Sequence, residues 1–203
     1  MQVRRLPLCL AVLAWLALAP TSRATTVIQP SFDQMVGSAD YIVRVEVNSV
    51  ESSWRDNPSN PGDRYIGSRV TLTVKEIIKG TPPSPLVLDL AGGRVGEDEL
   101  VIDGAPKFEA GDECILFVRG NGRTFFPVVG LMHGYFPVYR DPVTKRASVL
   151  RFNGRPLRNV QDLDPAATGP APATASSRAM TPEAFRDRIR QQQSEILTRE
   201  KLR

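Results

Sequence analysis

Two long stretches in which β-branched and polar residues alternate limit what this chain can fold into. The first runs from Tyr41 to Val50 and the second from Arg64 to Lys79. When a pattern repeats every two residues, successive side chains lie on opposite faces of a strand. Each stretch therefore predicts a strand with one face in the core. A polar loop, 52–63, separates them, and Gly67 suggests a bulge or bend in the second strand. The pattern predicts a strongly bent antiparallel sheet.

Two hairpins are predicted in the second half of this sheet. The first joins Glu113–Arg119 to Thr124–Val129 through an Asn-Gly pair, which supplies the positive φ angles of a tight turn. The second joins Tyr135–Arg140 to Ala147–Phe152 through Asp141-Pro142, where the proline presets the turn.

Along the sequence, one helix is predicted before the strands and one after them. The first spans Ser31–Ala39, with Ser31 as its N-cap, and the second begins after the cap Thr181 and runs to about Arg199. The apolar stripe of the second helix is formed by Phe185, Ile189 and Ile196. We expect this helix to dock on the sheet, to pair with another chain or to lie free, in that order.

The first 24 residues have the three parts of a bacterial secretory signal peptide. Arg4 and Arg5 precede an apolar run that ends at Ala19, and Ser22-Arg23-Ala24 is a small-x-small cleavage site. The run has about 14 residues, fewer than the roughly 20 that cross a bilayer. We therefore expect an exported protein, periplasmic or extracellular, that keeps no membrane span once the signal is removed.

The remaining chain divides by composition into three parts. Residues 25–156 are long enough for one independent core and carry all the strand patterns. Residues 157–180 are rich in Pro and Ala and predict a flexible linker, and residues 181–203 contain the amphipathic helix.

Charge argues against a nucleic-acid partner. The whole chain has 26 basic and 22 acidic residues, and removal of Arg4, Arg5 and Arg23 with the signal leaves 23 basic residues, a net charge of +1. Binding to nucleic acid needs a dense basic surface. We expect the partner to be another envelope or exported protein.

The residues that usually carry catalysis or bind metals are few. Cys114 is the only cysteine after the signal and lies in an alternating strand pattern, which predicts a small apolar filler. His133 is the only histidine, and an acidic loop at 97–103 matches no calcium-loop spacing. We therefore predict no catalytic residue, no metal site and no cofactor.

Aromatic residues on the two hairpins and apolar residues of the last helix are the candidate binding surface. If several were exposed on one face they would form a binding platform, whereas core packing is the competing interpretation. The candidates are Phe125, Phe126, Tyr135, Phe136, Tyr139, Phe185 and Ile189.

Three stretches resemble a class of small exported bacterial domains with an OB-like barrel, distantly similar to the netrin-like domain of metalloproteinase inhibitors. They are Phe32 with the motif at 38–43, the motif at 74–80, and the motif at 106–113 that leads into 115–117. The resemblance implies an OB-like barrel. In the inhibitors, signal cleavage exposes a cysteine that reaches the protease zinc, whereas this chain has Thr25 there.

Together these patterns predict a mostly β fold, a small antiparallel OB-like barrel or sandwich with a short N-terminal helix and a C-terminal α-helix. The leading functional hypothesis is a non-enzymatic exported binding or assembly module. The alternatives are an inhibitor of an exported hydrolase or protease, with Thr25–Ser31 or a loop protruding, and a hydrolase with carboxylates around His133.

Overall fold

The computed structural model describes residues 29–57, 60–165 and 178–202. The fold is mostly β, as the sequence predicts, with antiparallel sheets, a short helix near the N-terminus and a longer one at the C-terminus. The predicted signal peptide lies outside the described residues, as does the part of the predicted linker at 166–177.

Six strands form one antiparallel sheet and two form a separate hairpin. The strands are β1 (Tyr41–Asp56), β2 (Arg64–Lys79), β3 (Leu86–Ala91), β4 (Gly93–Val95), β5 (Asp98–Leu100), β6 (Glu113–Val118), β7 (Tyr135–Arg140) and β8 (Ala147–Val149). The helices are α1 (Phe32–Ser38) and α2 (Pro182–Lys201), with a short 3-10 helix at Val160–Leu163. The large sheet has the order β3-β2-β1-β6-β7-β8, and β4 pairs with β5.

The large sheet is not closed into a barrel, because a loop rather than a strand covers the edge of β3. The backbone N–H of Ala91 donates to the carbonyl of Phe125, and the side-chain amide of Asn121 donates to the carbonyl of Val87. The loop after β6 thus satisfies backbone groups that a seventh strand would otherwise pair.

Two hydrophobic cores lie on opposite faces of the large sheet. One contains residues of β1, β2, β3, β6 and β7 together with Phe108 and Val128, and the other contains residues of β1, β2, β6, β7 and β8 with both α-helices and the 3-10 helix. Strand β6 contributes to both, since every side chain from Cys114 to Val118 is fully buried. The alternating pattern around Cys114 is typical of a strand that buries every second side chain, whereas β6 is buried on both faces.

Both predicted helix caps are confirmed, and α2 docks on the sheet. The Ser31 hydroxyl accepts a hydrogen bond from the Gln34 N–H, and the Thr181 hydroxyl accepts one from the Ala184 N–H. The Phe185 ring is fully buried, with its centroid 4.9 Å from that of Phe136. Among the described helices, none has the length and apolar character needed to cross a membrane.

The residues that open the predicted linker are packed rather than extended. Leu157, Val160 and Leu163 are buried in the core beneath the helices. The Asp164 carboxylate accepts a hydrogen bond from the Phe32 N–H, which joins this segment to the start of α1. The Pro- and Ala-rich stretch that predicts a linker therefore begins only after this packed segment. Its residues 166–177 lie outside the described part of the chain.

The hairpin of β1 and β2 is longer than predicted. Strand β1 continues to Asp56, so the predicted loop at 52–63 contributes its first five residues to a strand. Strand β6 pairs with β1 only from Tyr41 to Glu46. Beyond that point residues 49–56 pair with 64–71 of β2, and we call this two-stranded extension the ribbon.

The predicted turn at Asn121-Gly122 forms, with the Arg123 N–H donating to the Gly120 carbonyl, but the predicted strand after it does not, whereas the hairpin at Asp141-Pro142 is confirmed. Residues 124–129 form no strand, and only one isolated bridge, between Val118 and Val128, links them to β6. The Gly120 N–H donates to the Asp40 carboxylate, and the loop that follows hydrogen-bonds to β3 through Asn121 and Phe125. In the second hairpin, the Asp141 carboxylate accepts hydrogen bonds from the backbone of the turn.

Substitution of Phe185 by alanine tests the docking of α2. Loss of a fully buried ring should lower the free energy of unfolding by about 3–5 kcal/mol, because the remaining cavity cannot collapse completely. Leu197→Ala, at an exposed position of the same helix, should change it by less than about 0.5 kcal/mol. Urea unfolding of the two variants makes the comparison, and equal small changes would show that α2 does not dock.

Candidate binding cleft

The structure does not assemble the predicted binding platform. Tyr135, Phe136, Phe185 and Ile189 are buried in the two cores, and Phe126 packs partly buried against one of them. Phe125 is 49% exposed and Tyr139 is 51% exposed. For the buried members, core packing is therefore the correct interpretation of the pattern.

Within the part of the chain that the structure describes, His133 and Cys114 lie apart from each other and from any cluster of metal-ligating side chains. His133 makes no side-chain hydrogen bond within the described residues and packs edge-on against Phe152. Burial and the charge of Arg151 lower its pKa, because both disfavour the imidazolium form. Cys114 is fully buried, and this burial raises the pKa of its thiol. Within the described residues, no three His, Cys, Asp or Glu side chains are grouped to hold a metal ion.

A cleft of about 280 Å³ lies between the ribbon, the β4–β5 hairpin and the segment that leads into β6. Its walls are mainly apolar and come from these three elements, from β3 and from the loop after β6. The apolar side chains are Val50, Val70, Leu90, Leu100, Ile102, Pro106, Phe108 and Phe126. An apolar concavity with a few polar groups is the usual form of a ligand site.

The polar groups inside the cleft are two paired serines of the ribbon. Ser52 and Ser68 lie opposite each other in the β1–β2 register, with their hydroxyl oxygens 2.9 Å apart. The Ser68 hydroxyl donates to the Gly92 carbonyl at 2.6 Å, which uses its only hydrogen. The bond between the serines must then have Ser52 as its donor. The result is a directed chain, from Ser52 to Ser68 to the Gly92 carbonyl.

This direction leaves Ser52 with free lone pairs and no free hydrogen. Reversing the direction of these two hydrogen bonds would take the Ser68 hydrogen away from the Gly92 carbonyl. An unsatisfied buried carbonyl costs about 1–3 kcal/mol. Gly92 and Ser68 are both buried. The serine pair therefore presents hydrogen-bond acceptors to the cleft.

Gly93 allows the β4–β5 hairpin to approach the serines closely. Its φ angle is +133°, and a Cβ at this position would clash with the hydroxyl oxygens of both Ser52 and Ser68. Only a residue without a side chain fits between the hairpin and the ribbon here. The glycines at 92 and 93, which resemble a phosphate loop only superficially, thus serve close packing.

The charged groups that line the cleft do not activate the serines. The Arg94 guanidinium lies 2.7 Å from the Glu99 carboxylate, so the acidic loop is partly neutralised by its own hairpin. The serines hydrogen-bond to each other and to the Gly92 carbonyl, and neither bonds to a lysine or a carboxylate. A nucleophilic serine needs a neighbouring base. Within the described residues, neither serine is hydrogen-bonded to such a base.

The outer edge of β1 is open beside the cleft. Strand β6 pairs as far as Glu46, and Val47 exchanges two backbone hydrogen bonds with the segment at 111–112. Within the described part of the chain, residues 48–56 have β2 on one side and no backbone partner on the other. Val50, at the mouth of the cleft, is 39% exposed.

Sequence reasoning missed both serines, although one signal was present. Ser52 fell in the predicted loop. Ser68 takes the place of an apolar residue in the sequence Ile66, Ser68, Val70, Leu72, whose other members are buried. A polar residue in a buried position of a strand indicates a specific hydrogen-bond partner.

Comparison with known proteins gives no assignment. No family model matches the chain, and no curated protein matches it significantly.

Substitution of Gly93 by alanine tests the packing at the serine pair. Gly93→Ala should lower the free energy of unfolding by about 1–3 kcal/mol more than Gly96→Ala, because the new methyl group overpacks the contact with the serines. Gly96 is the matched control, since it also has a positive φ, +63°, and no atom within 4 Å of an added Cβ. Urea unfolding gives both values, and equal losses would contradict the close approach.

Proposed function

We propose that this protein is an exported, non-enzymatic binding module that holds an extended segment of another exported protein along the free edge of β1. The observation that carries the proposal is the open backbone of residues 48–56 next to the apolar cleft. We keep the resemblance to OB-like and netrin-like domains as part of this proposal, and the antiparallel, mostly β architecture supports it.

An open strand edge is a general means of protein recognition. It presents unpaired N–H and C=O groups, and an extended chain that joins the sheet satisfies them. Side chains of the added strand alternate between the two faces, so pockets beside the edge select the sequence. The cleft lies on one of these faces, since Val50 and Ser52 belong both to β1 and to its lining.

The surface near the end of the ribbon extends the same binding region. The Arg64 guanidinium lies 5.7 Å from the centre of the Trp54 ring, which is partly exposed. On the other face of the ribbon, Phe125 of the neighbouring loop meets Tyr65 edge to face at 5.5 Å. Partly exposed aromatic and arginine side chains are enriched at protein interfaces.

The described structure offers less support for the two alternative functions. An inhibitor that acts through its N-terminus needs a protruding Thr25–Ser31 segment. Gln29 and Pro30 are instead half-buried, and the Gln29 amide donates to the Leu163 carbonyl. A hydrolase needs carboxylates converging on His133, and His133 hydrogen-bonds to none within the described residues.

Selection of peptides against the purified protein tests the proposal. A phage library of random 12-residue peptides should yield binders whose addition shifts and protects the backbone amides of residues 48–56 in NMR spectra. Val50→Lys should weaken these binders about tenfold or more, because it places a charge at the apolar mouth. Val143→Lys, at a position that is 85% exposed on the β7–β8 turn, should leave binding unchanged.

Two results would overturn this assignment. Binders that perturb another surface and tolerate Val50→Lys would place the binding site elsewhere. A concentration-dependent dimer in light scattering, lost in Val50→Lys, would assign the edge to a second copy of the chain instead of to a partner.

A further inference from the structure

We infer that the cleft selects a tyrosine side chain of the bound segment, with its ring between the apolar walls and its phenol O–H donating to the Ser52 hydroxyl oxygen. The inference rests on the proposed function for the source of this side chain. It adds the chemical class that the site recognises.

The dimensions of the cleft fit one aromatic side chain. A cavity of about 150 Å³ lined by apolar side chains holds benzene. The cleft has about 280 Å³ and is open on one side, so it has room for a ring, its substituent and the adjoining backbone. Leu90 and Phe108 are among its buried wall residues and offer apolar contact to a ring.

The direction of the serine chain determines which polar group the cleft accepts. A ligand O–H or N–H can donate to a lone pair of Ser52 and leave the bonds to Ser68 and Gly92 intact. A carboxylate or ether oxygen can only accept, and would have to turn the Ser52 hydrogen away from Ser68. The pair therefore favours a donor over an acceptor.

The position of the donor favours tyrosine among the aromatic residues. Ser68 is buried and Ser52 is half-buried, so the polar groups lie deep, behind apolar walls. Tyrosine carries its donor at the far end of the ring, whereas tryptophan carries its N–H on the side and phenylalanine has none. A side chain entering from the β1 edge thus brings its hydroxyl group to the serines.

Single amino-acid probes test the cleft independently of the strand edge. The probes are the N-acetyl amides of tyrosine, phenylalanine, O-methyltyrosine and 4-carboxyphenylalanine, titrated into the labelled full chain. Tyrosine should bind about tenfold more tightly than each of the others, which corresponds to one net hydrogen bond. Its addition should shift the amide signals of Ser52, Ser68 and Gly93.

Removal of the acceptor provides the second arm of the experiment. Ser52→Ala should reduce the preference for tyrosine over phenylalanine to about one, because only the apolar walls remain. Ser53→Ala is the matched control, since Ser53 is exposed, lies on the other face of the ribbon and does not line the cleft. Unchanged thermal unfolding of both variants would show that the fold is retained.

The outcomes separate this inference from the proposed function. Equal binding of all four probes, tightest binding of the carboxylate, or a preference that survives Ser52→Ala would overturn the tyrosine assignment while edge binding of peptides still stood. A tyrosine preference without any peptide that protects residues 48–56 would overturn the peptide source and the proposed function together. Tyrosine enriched at one fixed position of the selected peptides would support both.

Discussion

The whole fold depends on covering both faces of the central strands β1 and β6. All side chains from Cys114 to Val118 are fully buried, so β6 is stable only if one core forms on one face of the sheet and another beneath the helices on the other face. This requirement explains why α2, far away in sequence, is part of the same domain: Phe185 and Ile189 complete the second core.

The same arrangement leaves the ribbon as the part of the sheet that the helices do not cover. The loop after β6 closes the edge of β3, whereas β1 runs on past its last contact with β6 and exposes one edge of its backbone. The β4–β5 hairpin then forms a wall over one face of the ribbon, and Gly93 lets it approach the serine pair. The cleft thus lies at the end of the sheet away from the core that packs against the helices.

Local signals predicted the local features, and features that depend on distant contacts escaped them. The caps Ser31 and Thr181 and the turn at Asp141 act within three residues, so the sequence displays them directly. The Asn121-Gly122 turn forms but no strand follows it, because contacts with Asp40 and Val87, far away in sequence, hold that loop. The cleft was not predictable, because its serines meet only when β1 and β2 pair and Gly93 packs above them.

The central claim is that β1 has an open edge beyond Val47, and amide hydrogen exchange of the monomeric full chain tests it most directly. Residues 41–46, paired on both sides, should exchange slowly throughout. In residues 48–56, amides directed toward β2 should exchange slowly and those directed outward rapidly, giving an alternating pattern. Uniform slow exchange from 41 to 56 would show that the edge is already occupied, and would contradict the binding site proposed for this protein.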